Sequence, residues 1–244
     1  MPKHVIAFMM VAALAVPLAA GASDALPDAP TPLERAAKVG LQKALTFLLE
    51  TPATVDEVAF DRENGLLRLG GLRIANPKGF EAKPAIVVGE AYVEAGPNLL
   101  LAKEPVIRVV KLTDVTLNAE QSLAHGFNLE KLFDSVSRFG TPKRRERPQL
   151  GERKKLRIEK GALDGCTVKL TTEFLTRQAR EWKLEPIEMD FRDEESGQGV
   201  PADRLLAKAL GRLIQEFEKG PNAASAAPQS GATGLIDLLG EALK

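Results

Sequence analysis

Few residues in this chain could do chemistry. Beyond the amino-terminal leader there is one histidine, His125, and one cysteine, Cys166. A zinc site draws several such ligands at short, fixed spacings, and no such spacing occurs. Ser122 stands near His125, but no nucleophile elbow surrounds it, and a catalytic triad is made by spatial rather than sequence neighbours. His125 reads as a loop residue ahead of a helix cap at Asn128. Cys166 reads as a small buried side chain. Gly70-Gly71 would need a helix behind it to cradle phosphate, but the residues after it alternate like a strand. Carboxylates are plentiful but sit in alternating charged patterns that suit solvated strand faces. The expectation is a non-enzymatic protein with no catalytic residue, no metal site and no cofactor.

The elements that would have to position a site begin after a leader. Met1 to His4 is a short basic start, and Val5 to Val16 is an apolar run too short to span a membrane. Pro17 ends it, and Ala20-Gly21-Ala22 offers small residues at a cleavage site after Ala22. Residues 1–22 therefore read as a signal peptide, and the expected destination is the periplasm. The alternative is an uncleaved leader anchored in the inner membrane. No cysteine follows the apolar run, so a lipoprotein anchor is excluded. A lone cysteine forms no intrachain disulfide, even where the compartment permits one.

Composition bounds the partners. Lys plus Arg number 33 and Asp plus Glu number 33, so no global field recruits nucleic acid or an anionic bilayer. Aromatic residues make up 5% of the chain, which argues against carbohydrate or base-stacking platforms. About 220 residues remain after the leader, enough to bury a good core.

Residues 23–31 read as a Pro/Ala/Asp linker. Residues 32–50 read as a helix, capped by Thr31 with Pro32 at the first position. Leu33, Ala37, Leu41, Ala44 and Leu48 form its apolar face. From Ala53 the period changes to two, and Val58/Phe60 and Leu67/Leu69 alternate on either side of Asn64-Gly65, a hairpin signal. After Gly70-Gly71 the apolar phase moves to Leu72 and Ile74, as a β-bulge would produce.

Later strands carry apolar residues in both phases. Ile86 and Val88 oppose Val87, Ala91 and Val93, and Ile107/Val109, Val110/Leu112 and Val115/Leu117 change phase twice. A sheet with one wet face alternates more strictly. The sheet is therefore covered on both faces or strongly bent, with an apolar concave side.

A second helix is expected from Asn128 to about Phe139, with Leu129, Leu132, Phe133 and Val136 on its apolar side. Residues 140–155 form a basic connector, read as a solvated loop, a contact for anionic headgroups, or a partner of the acidic stretch Glu185 to Glu195. Strands are expected at Leu156–Glu159, Cys166–Thr171 and Trp182–Phe191. A third helix runs from Pro201 to Lys219 with Leu206, Leu210, Leu213 and Phe217 on one face. Residues 220–234 have the composition of a disordered linker. Residues 235–244 read as a short amphipathic helix on that tether. It is expected to meet a partner or membrane, because docking on its own sheet would not need so long a tether.

The runs "LRLGGLRIANPKGF" and "AIVVGEAYVEAGPNLLLAKEPVIRVVKLTDVTLNAE" resemble the repeat that opens AsmA-like bacterial envelope proteins. The pattern is a Gly-Leu-x-Ile-x-Asn-Pro-x-Gly-Phe strand and turn at Gly71 to Phe80, alternating strands, a Leu99-Leu100 step, and an Asn128-x-x-x-Leu132 helix start. The preceding helix, the Thr51–Phe60 strand and "LRIEKGALDGCTVKL" also fit, so the resemblance covers most of residues 33 to 217. It implies a curved, groove-like sheet related to bridge-like lipid-transfer proteins, with a role in outer-membrane lipid homeostasis or assembly. Family members are generally held by an N-terminal membrane helix, whereas this leader reads as cleavable. Many are far longer, and this chain is too short to cross the periplasm as a conduit.

The expected fold is α+β, a curved and mainly antiparallel sheet with flanking amphipathic helices over residues 32–219. The expected function is binding of lipid or an envelope protein, with a possible membrane-surface contact and no nucleic acid. Leu69, Ile74, Val88, Val93, Ile107 and Val109 on the sheet are the candidate contacts, with Leu235, Ile236 and Leu239 in the tail. The alternative is a structural adaptor with a packed sheet and a partner-binding C-terminal helix.

Overall fold

The computed structural model describes residues 30–61, 64–81, 83–95, 106–140, 155–173, 177–189 and 200–219. The leader, most of the 23–31 linker, most of the basic connector and the whole 220–244 tail lie outside the described residues. In chain order the elements are α1 (Pro32–Leu49), β1 (Ala53–Thr54), β2 (Glu57–Asp61), β3 (Leu66–Ala75), β4 (Pro84–Ala95), β5 (Val106–Ser122) and β6 (Gly126–Phe127). Then come α2 (Asn128–Gly140), β7 (Lys155–Glu173), β8 (Arg177–Leu184), β9 (Ile187–Met189), β10 (Val200–Pro201) and α3 (Ala202–Lys219). Among the described residues no helix is long and apolar enough to cross a membrane.

Helix α1 starts where its sequence dictates. Glu34 N donates to Thr31 Oγ1 (3.2 Å) and Thr31 N donates to Glu34 Oε2 (2.7 Å), a reciprocal capping box with Pro32 just inside. The helix ends at Leu49, one residue before expected, because Glu50 takes a left-handed φ of 55°.

Polar residues at four-residue spacing on α1 then cap the edge of the sheet. Phe60 N donates to Glu34 Oε1 (3.0 Å), Lys38 Nζ donates to Asp56 O (2.7 Å), Gln42 Nε2 donates to Val55 O (3.3 Å), and Ala53 N donates to Thr46 Oγ1 (3.0 Å). The helix thus runs antiparallel to β1 and β2 and occupies backbone groups that an open edge would leave to another strand.

The fold is α+β, and the sheet is curved, unclosed and mostly antiparallel. β1 and β2 both pair with β3, followed by β4, β5 and β7; β8, β9 and β10 share the far side of β7. The exception is β5 with β7, which run parallel from Val106↔Arg157 to Ser122↔Glu173. The crossover between them contains α2, as a parallel pair requires a long connection. Two expected strands, Leu156–Glu159 and Cys166–Thr171, are one continuous β7. The expected Trp182–Phe191 strand is divided near Pro186 into β8 and β9, both paired with β7.

The mixed phases have one origin. Gly71, Gly89, Asp114 and Gly165 fall in a single row across β3, β4, β5 and β7, where paired registers skip one position and then continue unchanged. Gly71, Asp114 and Gly165 have φ of 63°, 52° and 67°. Each strand carries its irregular residue at the same level, so the alternation flips in all of them together. The phase shift at Gly70-Gly71 is therefore not a bulge of two residues against one. On one side of the row the inner face holds Ile74–Ile86–Leu117–Val168 and Leu72–Val88–Val115–Cys166; on the other it holds Leu69–Ala91–Leu112–Leu163 and Leu67–Val93–Val110–Gly161. A second skip at Arg108 and Glu159, with a register shift beside Glu94, restores Ile107 and Ile158 to the inner face. The two-phase apolar pattern thus belongs to a bent sheet with one packed face.

The hairpin also departs from expectation. Asp61 pairs with Leu66, so four residues separate the paired strands where a two-residue Asn-Gly turn would leave two. Asp61 accepts from Asn64 N (3.1 Å) and Nδ2 (2.7 Å), and Gly65 takes φ 65°.

Candidate functional site

The inner face is the surface that sequence reasoning singled out. Helix α1 lies along β1 and β2, α2 against β5, and α3 against β7 and β10, with α2 bridging the other two helices. Leu129, Leu132, Phe133 and Val136 of α2 are buried, as are Leu205, Leu210, Leu213, Ile214 and Phe217 of α3. Leu206 is only half-buried. Beneath these helices Leu69, Ile74 and Val88 are 9%, 5% and 3% exposed. These three candidates are core residues and offer nothing to a ligand.

Val93 and Ile107 differ. They belong to the end of the inner face beyond the irregular row, where Phe60, Leu67, Val93 and Val110 form one cross-strand row and Leu112 and Ile107 flank it. All six are half-buried. This strip is apolar without exception. Val109 is a correction: its partners are Glu94 and Lys160, which puts it on the outer face. The Arg108 skip reverses its phase relative to Ile107. Leu235, Ile236 and Leu239 lie outside the described residues.

The outer face is polar and paired across strands. Arg68 meets Glu90 (2.9 Å), Arg108 meets Glu94 (2.9 Å) and Lys111 meets Asp164 (3.4 Å). The Tyr92 hydroxyl donates to Glu90 Oε2 (2.7 Å) and, with Arg68, holds that carboxyl below its ordinary range. A hydrogen bond from Arg73 does the same for Asp56. Such exposed pairs contribute little stability each and suit a wet face.

The Asn-Pro-x-Gly-Phe turn is tied down at the opposite end. Asn128 Nδ2 donates to Asn76 Oδ1 (2.7 Å) and to Asn118 O (2.7 Å), and Glu120 N donates to Asn128 Oδ1 (2.8 Å). Asn128 is fully buried. Its side chain is spent on β5 and the turn rather than on capping α2, the role its position suggested. Glu120, 8% exposed, accepts from Glu81 N (3.0 Å) and Asn76 Nδ2 (3.4 Å). A cleft of about 370 Å³ opens beside this network, where Lys83, Lys169 and Arg180 interleave with Glu81, Glu120 and Glu181. Its charges are mixed, and its buried carboxylate is engaged by the turn.

The three residues weighed for chemistry are not brought together. Ser122 is buried and pairs with Gly126 at the end of β5, while His125 is exposed in the intervening loop. The His125 ring lies over Gly79, where a Cβ would approach it within 2.8 Å, and 6.0 Å from the Phe80 ring. Cys166 sits under the helices at 1% exposure, and burial pushes its thiol up to about 11. It pairs with Val115, which stands about 23 Å back along β5 from Ser122 at strand rise. In α2, burial raises the carboxyls of Glu130 and Asp134. Among the described residues no group of histidine, cysteine and carboxylate side chains could hold a metal ion.

Sequence reasoning placed strands within β7 but missed its parallel pairing with β5. A strand, a helix and a second long strand in that order signal a parallel unit, and that signal was present in residues 106–173. No protein-family model matches this chain, and no curated protein matches it.

Proposed function

We propose that this protein is a small AsmA-like module of the bacterial cell envelope that takes up an acyl chain along the half-covered end of its sheet. The observation that carries the reading is the row Phe60–Leu67–Val93–Val110, apolar and half-buried along its whole length, on a face where Leu69, Ile74 and Val88 are buried. Contiguous accessible apolar surface of this kind serves as a binding surface. The resemblance at Gly71 to Phe80 and Asn128 to Leu132 supports an envelope role, in lipid homeostasis or assembly, and the leader supports export to the periplasm. Sealing of Leu69, Ile74 and Val88 limits the capacity to a short stretch of chain, so the module holds one apolar tail and is no conduit. The chemistry is binding, not catalysis.

A second reading, a structural adaptor, is favoured by that same sealing of the sheet beneath the helices. Native mass spectrometry of protein purified from its own compartment separates the two. Lipid should co-purify with the wild type and with Val109→Asp, and be lost from Val93→Asp and Val110→Asp. Wild-type protein free of lipid would favour the adaptor.

A further inference from the structure

We infer that the segment Leu235–Lys244 of the same chain docks on the half-covered strip of the sheet. The inference rests on the strip being the binding surface proposed above, and it names a second occupant for it. The segment, Leu-Ile-Asp-Leu-Leu-Gly-Glu-Ala-Leu-Lys, is apolar over most of its positions. Ten residues are too few to hold a helix in water, so the segment orders only against a surface.

Where the described chain ends decides which surface. Helix α3 is described to Lys219, and Phe217 close to that point packs on Trp182 (5.5 Å between centroids) and Phe127 (5.2 Å). Trp182 pairs with Val168, which pairs with Leu117. The last turn of α3 is therefore at the level of Leu117, on the sealed side of the irregular row. Val110 lies on the other side, about 23 Å back along β5 at strand rise and two strands across from Trp182, about 25 Å away in the plane of the sheet. Fifteen residues, 220–234, separate α3 from the segment, and for that length and composition the random-chain end-to-end distance is about 21 Å. The tether thus matches the distance from the end of α3 to the strip. At matched length a linker gives its greatest effective concentration, in the millimolar range for short tethers. A length that looks excessive for docking beside α3 is what the far end of the sheet requires.

A docked segment would compete with an acyl chain, and apparent affinity falls by the fraction of molecules with the strip free. Two measurements on the full chain test the inference. In the first, Val93→Cys with Leu239→Cys is treated with a short bis-maleimide; native Cys166 is 1% exposed and stays out of reach. Crosslinking should occur within the monomer, at about ten times the yield of Leu123→Cys with Leu239→Cys, since Leu123 is 73% exposed at the opposite end of β5. Equal yields, or crosslinks only between molecules, would overturn the inference. In the second, a fluorescent fatty acid is titrated into the wild type and into Leu235→Asp/Leu239→Asp. The variant should bind about 10-fold tighter if the segment covers the strip in nine molecules of ten, and unchanged affinity counts against docking. Intramolecular crosslinking without fatty-acid binding by either protein supports docking while removing the acyl-chain reading.

Discussion

Asn76 and Asn128 stand 52 positions apart and share a hydrogen bond of 2.7 Å, from Asn128 Nδ2 to Asn76 Oδ1. The bond joins the Asn-Pro-x-Gly-Phe turn to the start of α2. Spacing alone leaves these residues unrelated. In the fold each satisfies the other, and Glu120 and Asn118 complete the network.

A buried network of this kind is costly to break from one side only. Asn128→Ala leaves the Glu120 N–H and Asn118 carbonyl without their partners, so we expect a loss of about 2–4 kcal/mol. Asn76→Ala should cost less, because Asn128 keeps its bonds to β5. The double variant should be less destabilised than the sum of the two by about 0.5–3 kcal/mol. Urea denaturation of all four proteins measures this, and strict additivity would show that the two side chains act separately.

The edge cap should act locally. Thr46→Val keeps shape but removes the acceptor for Ala53 N, which should cost about 1 kcal/mol. Hydrogen exchange should quicken at Ala53 while Val115, deep in the sheet, stays protected. Uniform exchange changes over both sites would mean that the edge does not open independently. Glu34→Ala should be the more damaging change, since Glu34 serves both the capping box and Phe60 N.

What was legible in the sequence depends on how local its cause is. The α1 cap at Thr31 and Glu34 is a contact over three residues and could be read directly. The pairings Val58↔Leu69 and Phe60↔Leu67 follow from alternation around one loop. The placement of Val93 and Val109 was not legible, because it depends on phase flips at Gly89 and Arg108. Glycine marks the first flip, but nothing about Arg108 announces the second. Asp114 hides its left-handed φ behind an ordinary charged side chain in a strand. Sealing of Ile74 and Val88 depends on α2 and α3, whose docking is a tertiary event that no strand pattern contains.

The irregular row is testable by side-chain addition. At Gly71 a Cβ would run into the Asp56 carboxylate, on a backbone with φ 63°. Gly71→Ala should therefore destabilise by about 2 kcal/mol or more. Asp114→Gly meets no such clash and suits φ 52°, so its stability should stay within about 1 kcal/mol of wild type. Asp114→Val puts a β-branched residue in the left-handed region and should be the least stable of the three. Thermal melts rank them, and a tolerated Asp114→Val would remove the claim that the row needs a left-handed residue.

For Cys166 the sign of the pH effect is fixed by burial. The thiol is pushed from 9.0 up to about 11 in the folded chain, so the fold binds its proton more tightly than the unfolded chain does. That contribution is fully present below about pH 9 and is lost as pH rises through about 11. A shift of that size corresponds to a few kcal/mol at most. Cys166→Ala removes the ionising group and leaves a small cavity between its cross-strand neighbours Val115 and Leu184, costing about 1–2 kcal/mol at neutral pH. Every other ionisable group is common to both proteins, so the comparison isolates the thiol. Denaturation midpoints should place the wild type above Cys166→Ala at pH 8, and the gap should shrink or reverse by pH 11. Parallel curves across that window would show that the thiol ionises in the folded protein as easily as in the unfolded one, and that the packed face beneath α2 and α3 admits water.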